Sequence, residues 1–342
     1  MNMILSGNDS HRSDHALNAY NTCPSCDWRT LEIFYEQKAI PIDSCRLLSS
    51  RSEARGFPRG VLRLGFCRSC GFIWNTAFDP SVQDSSSSYQ EIQGFSPRFK
   101  RYVRRIAQRL IEKYKLHGKS LFEIGCGQGD FLSLMCQLGE NHGIGIDPNF
   151  VEKKTEAKAN RRITILKDYF SESHRRLIGD FVICRHTLEH IQPVRDFLCI
   201  LRRSLKDRFD VTVFFEVPDS TRILREGAFW DMYYEHCSYF TCGSLARLFR
   251  RVGFEVLELA LDFENQYILL EARPSNTIRQ VPHKLEEQPV ELAQVVKNLQ
   301  NNFRDEIADW GKILEPVRND GQRAVLWGSG AKSAAFLNAL RM

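Results

Sequence analysis

Residues 120–131 read Ser120-Leu-Phe-Glu-Ile-Gly-Cys-Gly-Gln-Gly-Asp-Phe131, and this stretch decides the fold. A short apolar run, Ser120–Ile124, has the length and composition of a buried strand. Three alternating glycines follow, Gly125, Gly127 and Gly129, and a helix-like run covers Phe131–Leu138. Glycine lets a backbone turn sharply and approach a ligand closely, and a helix N-terminus offers free N–H groups. A second strand, His142–Ile146, ends at Asp147, placed to accept both hydroxyls of a ribose. Glu123 stands at the end of the first strand, ahead of the glycines.

Outward from the loop, strand-like and helix-like runs alternate, the pattern of an α/β domain with a parallel sheet. Further strands are expected at Ile163–Leu166, Phe181–Cys184, Val211–Glu216, Phe254–Leu259 and Gln266–Ala272, with helices at Pro193–Leu205 and Ser244–Val252. The last two strands lie close together and suggest an antiparallel hairpin at one edge. A basic amphipathic helix opens this zone: Phe99, Tyr102, Val103, Ile106, Leu110 and Tyr114 share helical spacing, and Arg98, Arg101, Arg104, Arg105 and Arg109 cover other faces. A nucleic-acid-binding helix is conceivable, but a solvated face on a helix packed against the sheet is the expected reading.

Four zones follow. Residues 1–20 read as a disordered leader, 21–80 as a zinc-binding domain, 90–275 as the α/β domain, and 276–342 as a helical linker and the start of a further α/β unit. In the last zone Val290–Val317 is helical in pattern, and Arg323–Trp327 reads as a strand before Gly328-Ser-Gly330 and a new helix. One strand and one helix cannot make a βαβ unit, so this end reads as truncated.

The 342 residues, 43% apolar and 26% charged, describe a globular protein that can bury a sizeable core. The net charge of +5 is mild and compatible with an anionic small molecule; it does not demand nucleic acid. No run suits a membrane span, and the polar first residues lack the centre of a signal peptide. A cytoplasmic location without a membrane partner is therefore expected; the sequence sets no oligomeric state.

Eleven cysteines without an export signal argue against a disulfide framework. Cys23-Pro-Ser-Cys26 and Cys67-Arg-Ser-Cys70 form two Cys-x-x-Cys pairs, the donor set of a closed structural zinc site. Neither lies in the βαβ setting of a redox motif. Cys45, between them, has no partner in the pattern.

A dinucleotide-binding domain would read G-x-G-x-x-G; here the loop is Gly125-x-Gly127-x-Gly129, with Phe131 two positions on. The Glu-x-Gly-x-Gly-x-Gly pattern resembles the class I S-adenosylmethionine-dependent methyltransferases. That resemblance implies a Rossmann-like parallel sheet with an antiparallel edge hairpin. It also implies S-adenosylmethionine as cofactor, bordered by Glu123, Gly125, Gly127 and Gly129. Asp147 would hold the ribose, and Asp168, after Ile163–Leu166, would meet the adenine amine.

Residues 230–240, Trp-Asp-Met-Tyr-Tyr-Glu-His-Cys-Ser-Tyr-Phe, bring together a base, a carboxylate and phenols, the ingredients of acid–base chemistry. An aromatic lid with a merely hydrogen-bonded histidine fits the same residues. With the cysteine pairs, the core and Trp327-Gly-x-Gly-x-Lys332, the chain resembles the sugar C-methyltransferases that act on nucleotide-linked 4-keto-deoxysugars. The resemblance implies His236 as base, Glu235 as its orienting partner, and Tyr233 and His190 steadying an enolate oxygen. A further tyrosine of the family corresponds to Tyr89, or its place is taken by Phe95. Residues 262–267, Asp-Phe-Glu-Asn-Gln-Tyr, replace a Gly-rich stretch of the family, and Ser333 stands where a third C-terminal glycine is expected. The alternatives are a small-molecule O- or N-methyltransferase and a zinc-bearing binding protein with an inactive body.

Overall fold

Strand Ser120–Ile124 lies inside a seven-stranded sheet, flanked on both sides by parallel neighbours. The computed structural model that places it describes residues 22–44, 46–82, 96–152, 162–277, 281–328 and 330–340. The expected leader, the break at Asp84–Ser88, Cys45, Tyr89 and Phe95 lie outside the described residues.

The first sheet begins the chain with Leu31–Pro41 (β1), Arg59–Cys67 (β2) and Ile73–Asn75 (β3); the short helix Arg51–Gly56 (α1) joins the first two. Helix Pro97–Tyr114 (α2) follows, capped by Ser96, whose side chain accepts from the Phe99 N–H, with proline at its start. Then come β4 (Ser120–Ile124), α3 (Asp130–Gly139), β5 (His142–Ile146), β6 (Ile163–Leu166), β7 (Phe181–Arg185), α4 (Val194–Leu205) and β8 (Thr212–Pro218). After α5 (Thr221–Glu226) and β9 (Ser238–Tyr239) the chain runs through α6 (Cys242–Arg251), β10 (Phe254–Asp262) and β11 (Tyr267–Pro274).

The large sheet has the order β10-β11-β8-β7-β4-β5-β6. Strands β4 to β8 pair in parallel, while β11 runs antiparallel to both β8 and β10. This is the parallel sheet with an antiparallel edge hairpin that the Gly-rich loop implied. Helices α2 and α3 bury Phe99, Ile106, Leu110, Leu132 and Met135 on one face, and α4 and α6 bury Leu198, Leu201, Leu245 and Phe249 on the other. The basic helix α2 is spoken for: Arg105 meets Asp262 at 2.6 Å, Arg109 meets Glu271 at 2.7 Å, and Arg98 pairs with Glu264. Its arginines clamp the hairpin β10–β11, as the solvated-face reading expects.

The first sheet has the order β1-β2-β3-β9. Its fourth strand comes from far along the chain: Ile73 pairs with Tyr239 and Trp74 with Ser238. The helices α7 (Pro289–Asn319) and α8 (Ala331–Ala339) also lean on this unit. Leu292, Val296, Leu299 and Phe303 share a core with Phe34, Leu64 and Phe66, and Phe336 stacks on Phe229 with ring centroids 5.7 Å apart.

One expectation is corrected. Arg323–Trp327 forms no strand; Val325 is 85% and Trp327 98% exposed. A strand needs a neighbour for its backbone N–H and C=O groups, and no described strand lies beside this run, so water solvates it. No described helix is long and apolar enough to cross a membrane.

Candidate functional site

At the C-terminal end of β4 the chain must reverse direction into α3, and the glycines make that possible. Gly125, Gly127 and Gly129 have φ of 69°, 56° and 84°, in the left-handed region that side chains resist. A Cβ on Gly125 would come within 2.1 Å of Thr187 Oγ1, and one on Gly129 within 2.5 Å of Ile165 Cδ1. A Cβ on Gly127 would meet nothing within 4 Å, so the middle of the loop opens onto free space where a ligand can approach the backbone.

Asp147 is tied to that loop. Its Oδ2 accepts from Gly127 N at 2.9 Å and its Oδ1 from Asn149 N at 2.8 Å. Burial pushes its carboxyl above the usual range, and the two N–H groups pull it back. Glu123 is buried at the end of β4. Asp168, more exposed, follows β6 and lies 3.3 Å from His174 Nε2. The expected cofactor residues thus line the C-terminal ends of three adjacent strands, where open α/β sheets bind ligands.

A cavity of about 340 Å³ opens beyond β7 and β8, lined among others by His186, Glu189, His190, Tyr233, Glu235 and His236. His190 ends a single 3₁₀ turn, Leu188–His190, after β7. Its Nδ1 lies 3.0 Å from the Glu235 carbonyl oxygen. A carbonyl only accepts, so Nδ1 carries the proton and Nε2 keeps a lone pair. The His236 ring stands edge-on to His190 at 4.8 Å and to Tyr233 at 4.9 Å. Loss of water and the neighbouring His190 push His236 down to about 3, and burial lowers His190 as well. Both rings are neutral at ordinary pH. The Tyr233 hydroxyl donates to Asp231 Oδ1 at 3.1 Å.

The expected pairing of Glu235 with His236 is not made. Glu235 Oε1 accepts from Ser44 N at 3.2 Å and also from the Ser44 hydroxyl, and burial pushes this carboxyl up to about 7. The backbone turns tightly here, with Cys237 N donating to Glu235 O at 3.1 Å, and the two side chains take separate partners. The carboxylate beside the histidines is Glu189: its oxygen and ring nitrogens of His190 and His236 lie within 4.8 Å of one another. Burial works to raise Glu189, but His186 and the nearby imidazoles outweigh it and hold it below the usual carboxylate range. It stands in the sequence directly before His190, a signal that adjacency alone could not interpret.

A second buried network went unread in the sequence. Glu216, fully buried in β8, is 2.5 Å from Arg185 Nε and 3.1 Å from His186 Nε2, and accepts from the Tyr102 hydroxyl at 2.9 Å. Burial opposes charge on both partners, yet Arg185 and His186 hold Glu216 far below the carboxylate range, while Glu216 lifts His186 to about 9. His186 therefore presents a cationic ring to the cavity wall, against Tyr267 at 4.7 Å. At the rim, Lys332 of α8 pairs with Asp231 at 2.8 Å and donates to Gln266 at 3.2 Å.

Behind this cavity, β2 and β3 connect to the cysteine pairs. Cys23 and Cys70 Sγ are 3.6 Å apart, as are Cys26 and Cys67, and all four sulfurs lie within 4.8 Å. A tetrahedral zinc site with Zn–S near 2.3 Å has S···S edges of about 3.8 Å, so the donor set fits such an ion. Each pair sits on a tight turn: Asp27 N donates to Cys23 O at 2.9 Å and Gly71 N to Cys67 O at 2.8 Å.

Residues 95–259 match the family described as methyltransferase domain. Over 310 residues the chain is 25% identical to the C-methyltransferase NovU of Streptomyces niveus, covering 86% of this chain and 72% of that one. Among solved structures it is similar to 1,6-didemethyltoxoflavin-N1-methyltransferase of Burkholderia thailandensis, with 15% identity, a TM-score of 0.39, and coverage of 51% of this chain and 79% of that one. Magnesium protoporphyrin IX methyltransferase of Synechocystis PCC 6803 gives 17% identity and a TM-score of 0.40, over 52% of this chain and 83% of that one.

Proposed function

We propose, on the footing that this chain is a class I S-adenosylmethionine-dependent methyltransferase, that it methylates a carbon beside a ketone in a nucleotide-linked deoxysugar. The observation that carries the reading is the cavity beyond β7 and β8, where two neutral imidazoles, His190 and His236, stand with a phenol, Tyr233, and a carboxylate, Glu189. Transfer to an oxygen or nitrogen needs no carbon-bound proton removed; transfer to carbon needs a base and a means to steady the enolate. The relative named as a C-methyltransferase supports the same reading.

In this scheme Glu123, Gly125, Gly127, Gly129, Asp147 and Asp168 hold S-adenosylmethionine, which supplies an electrophilic methyl group. His236 takes the proton from the carbon beside the ketone, and Glu189 stabilises the imidazolium that results. Tyr233 steadies the enolate oxygen by shifting its hydroxyl from Asp231. His190, neutral and with its Nδ1–H taken up by Glu235 O, has no proton to give from Nε2, so it braces the turn at Glu235 and leaves the enolate oxygen to Tyr233. Cys23, Cys26, Cys67 and Cys70 hold a structural Zn²⁺; four thiolates leave it no open position for catalysis.

The test is product analysis. The full chain is incubated with S-adenosylmethionine carrying a deuterated methyl group and a thymidine-diphosphate-linked 4-keto-6-deoxyhexose. A labelled methyl on a ring carbon next to the ketone is the expected product. A label found on oxygen or nitrogen contradicts the proposal.

A further inference from the structure

The phenol of Tyr233 is held by a carboxylate that a distant lysine also holds. The single 3₁₀ turn Phe229–Asp231 ends two residues before Tyr233, and the Tyr233 hydroxyl donates to Oδ1 of Asp231 at 3.1 Å. Lys332 of α8, 101 positions beyond Asp231, reaches the same carboxylate: its Nζ lies 2.8 Å from Oδ1 and 3.1 Å from Oδ2. A third bond, to Gln266 Oε1 at 3.2 Å, fixes the ammonium at the cavity rim. Apolar contacts place the lysine. Phe336 of α8 stacks on Phe229 of that turn and stands edge-on to Trp310 of α7, with ring centroids 5.0 Å apart. Asp231, Tyr233, Gln266 and Lys332 all line the cavity.

A phenol has one O–H to donate, so Tyr233 can serve an enolate oxygen only by leaving Asp231. A part-buried carboxylate that loses a donor resists the change unless another donor remains. We propose that Lys332 is a positioning residue for methyl transfer: by holding Asp231 it frees the Tyr233 hydroxyl to turn to the enolate oxygen of the acceptor. The proposal rests on the reading of this cavity as the acceptor site, with Tyr233 as the donor to the enolate. Before the proton leaves carbon, the ammonium draws on both carboxylate oxygens and weakens their hold on the phenol. After Tyr233 has turned, the ammonium keeps the charge on Asp231 compensated. Tyr233, Asp231 and Lys332 exchange hydrogen bonds in this step and transfer no proton. Lys332 is half exposed, so solvent screens its pull and the effect is that of a surface ion pair.

The test compares the full chain with its Lys332→Met, Lys332→Arg and Asp231→Asn variants, using the thymidine-diphosphate-linked 4-keto-6-deoxyhexose as probe. Lys332→Met is expected to lower kcat about fivefold, with the KM values for the keto sugar and S-adenosylmethionine unchanged, and Lys332→Arg restores the rate. In an Asp231→Asn background, Lys332→Met has no further effect, because the carboxylate it holds is gone. Nuclear magnetic resonance of protein carrying tyrosine labelled with carbon-13 at Cζ reads the phenol without any acceptor. The resonance lost in Tyr233→Phe moves in Lys332→Met, as the phenol binds Asp231 more tightly, and returns in Lys332→Arg. A raised KM for the keto sugar with kcat unchanged means that Lys332 binds the substrate instead, and overturns the proposal. So does a fall in kcat that persists in full in the Asp231→Asn background, the mark of a merely structural role. An unchanged kcat or an unmoved Tyr233 resonance overturns it equally. A wild-type protein inert toward the keto sugar contradicts the acceptor reading instead, and an unmoved resonance then still overturns the role of Lys332.

Discussion

A base that burial has pushed down to about 3 is a weak one by itself. His236 gains strength only if the charge it acquires is met, and Glu189 is the carboxylate within reach. His236 lines the cavity, and no residue of the Gly-rich loop does. His236→Ala is therefore expected to cut turnover by about a thousandfold, within the range for general-base removal, while calorimetry finds the affinity for S-adenosylmethionine unchanged. Turnover that survives in this variant would remove His236 from the base position. Residues 230–240 offered a base, a carboxylate and phenols that suit a lid as well as a site, and only the resemblance to the sugar C-methyltransferases singled out His236, Tyr233 and His190. It concealed the roles of Glu189, Ser44 and Glu216, since a carboxylate's partner depends on how strands stack. Glu216 looked like the polar end of an apolar strand, yet folding sets it against Arg185, His186 and Tyr102.

At the scale of elements, β4, β5 and β6 have the bounds that their apolar runs imply, because glycine, aspartate and polar turns punctuate each of them. Strand β9 was beyond reach. Two residues, Ser238–Tyr239, carry no periodicity, and their pairing partner lies in β3, far away in the chain. Conversely, Arg323–Trp327 has the composition of a strand and no neighbour to make it one. Strand β9 matters because it begins two residues after His236 and its approach is stitched to the cysteine-bearing unit, with Asn75 N donating to Cys237 O at 2.9 Å. A Zn²⁺ at the four thiols, as proposed above, would hold the two turns of that unit together. On that proposal, stripping Zn²⁺ from Cys23, Cys26, Cys67 and Cys70 with a chelator should loosen the His236 segment before it disturbs the loop at Gly125–Gly129. Methyl transfer should be lost with metal content, while S-adenosylmethionine binding by calorimetry persists. Loss of both together would mean that the two sheets do not act as separate supports.

Across the whole molecule, the Gly-rich loop and the cavity both lie at the C-terminal edge of the parallel strands, and the small sheet reaches the cavity wall through Ser238 and Tyr239 of β9. Helix α8 reaches the rim through Lys332, bringing a third part of the chain to the same opening. The parallel sheet and the loop were legible because their signals are local in sequence. The cavity was only partly so, because it is assembled from segments that meet through folding alone. The central claim is that this assembly removes a proton from carbon before any methyl group moves. Solvent exchange measures that step directly. In heavy water, without methyl transfer, the full chain should place deuterium on the carbon beside the ketone of a nucleotide-linked 4-keto-deoxysugar, and His236→Ala should not. Absence of exchange in every keto sugar offered, by a protein that still binds S-adenosylmethionine, would contradict the claim.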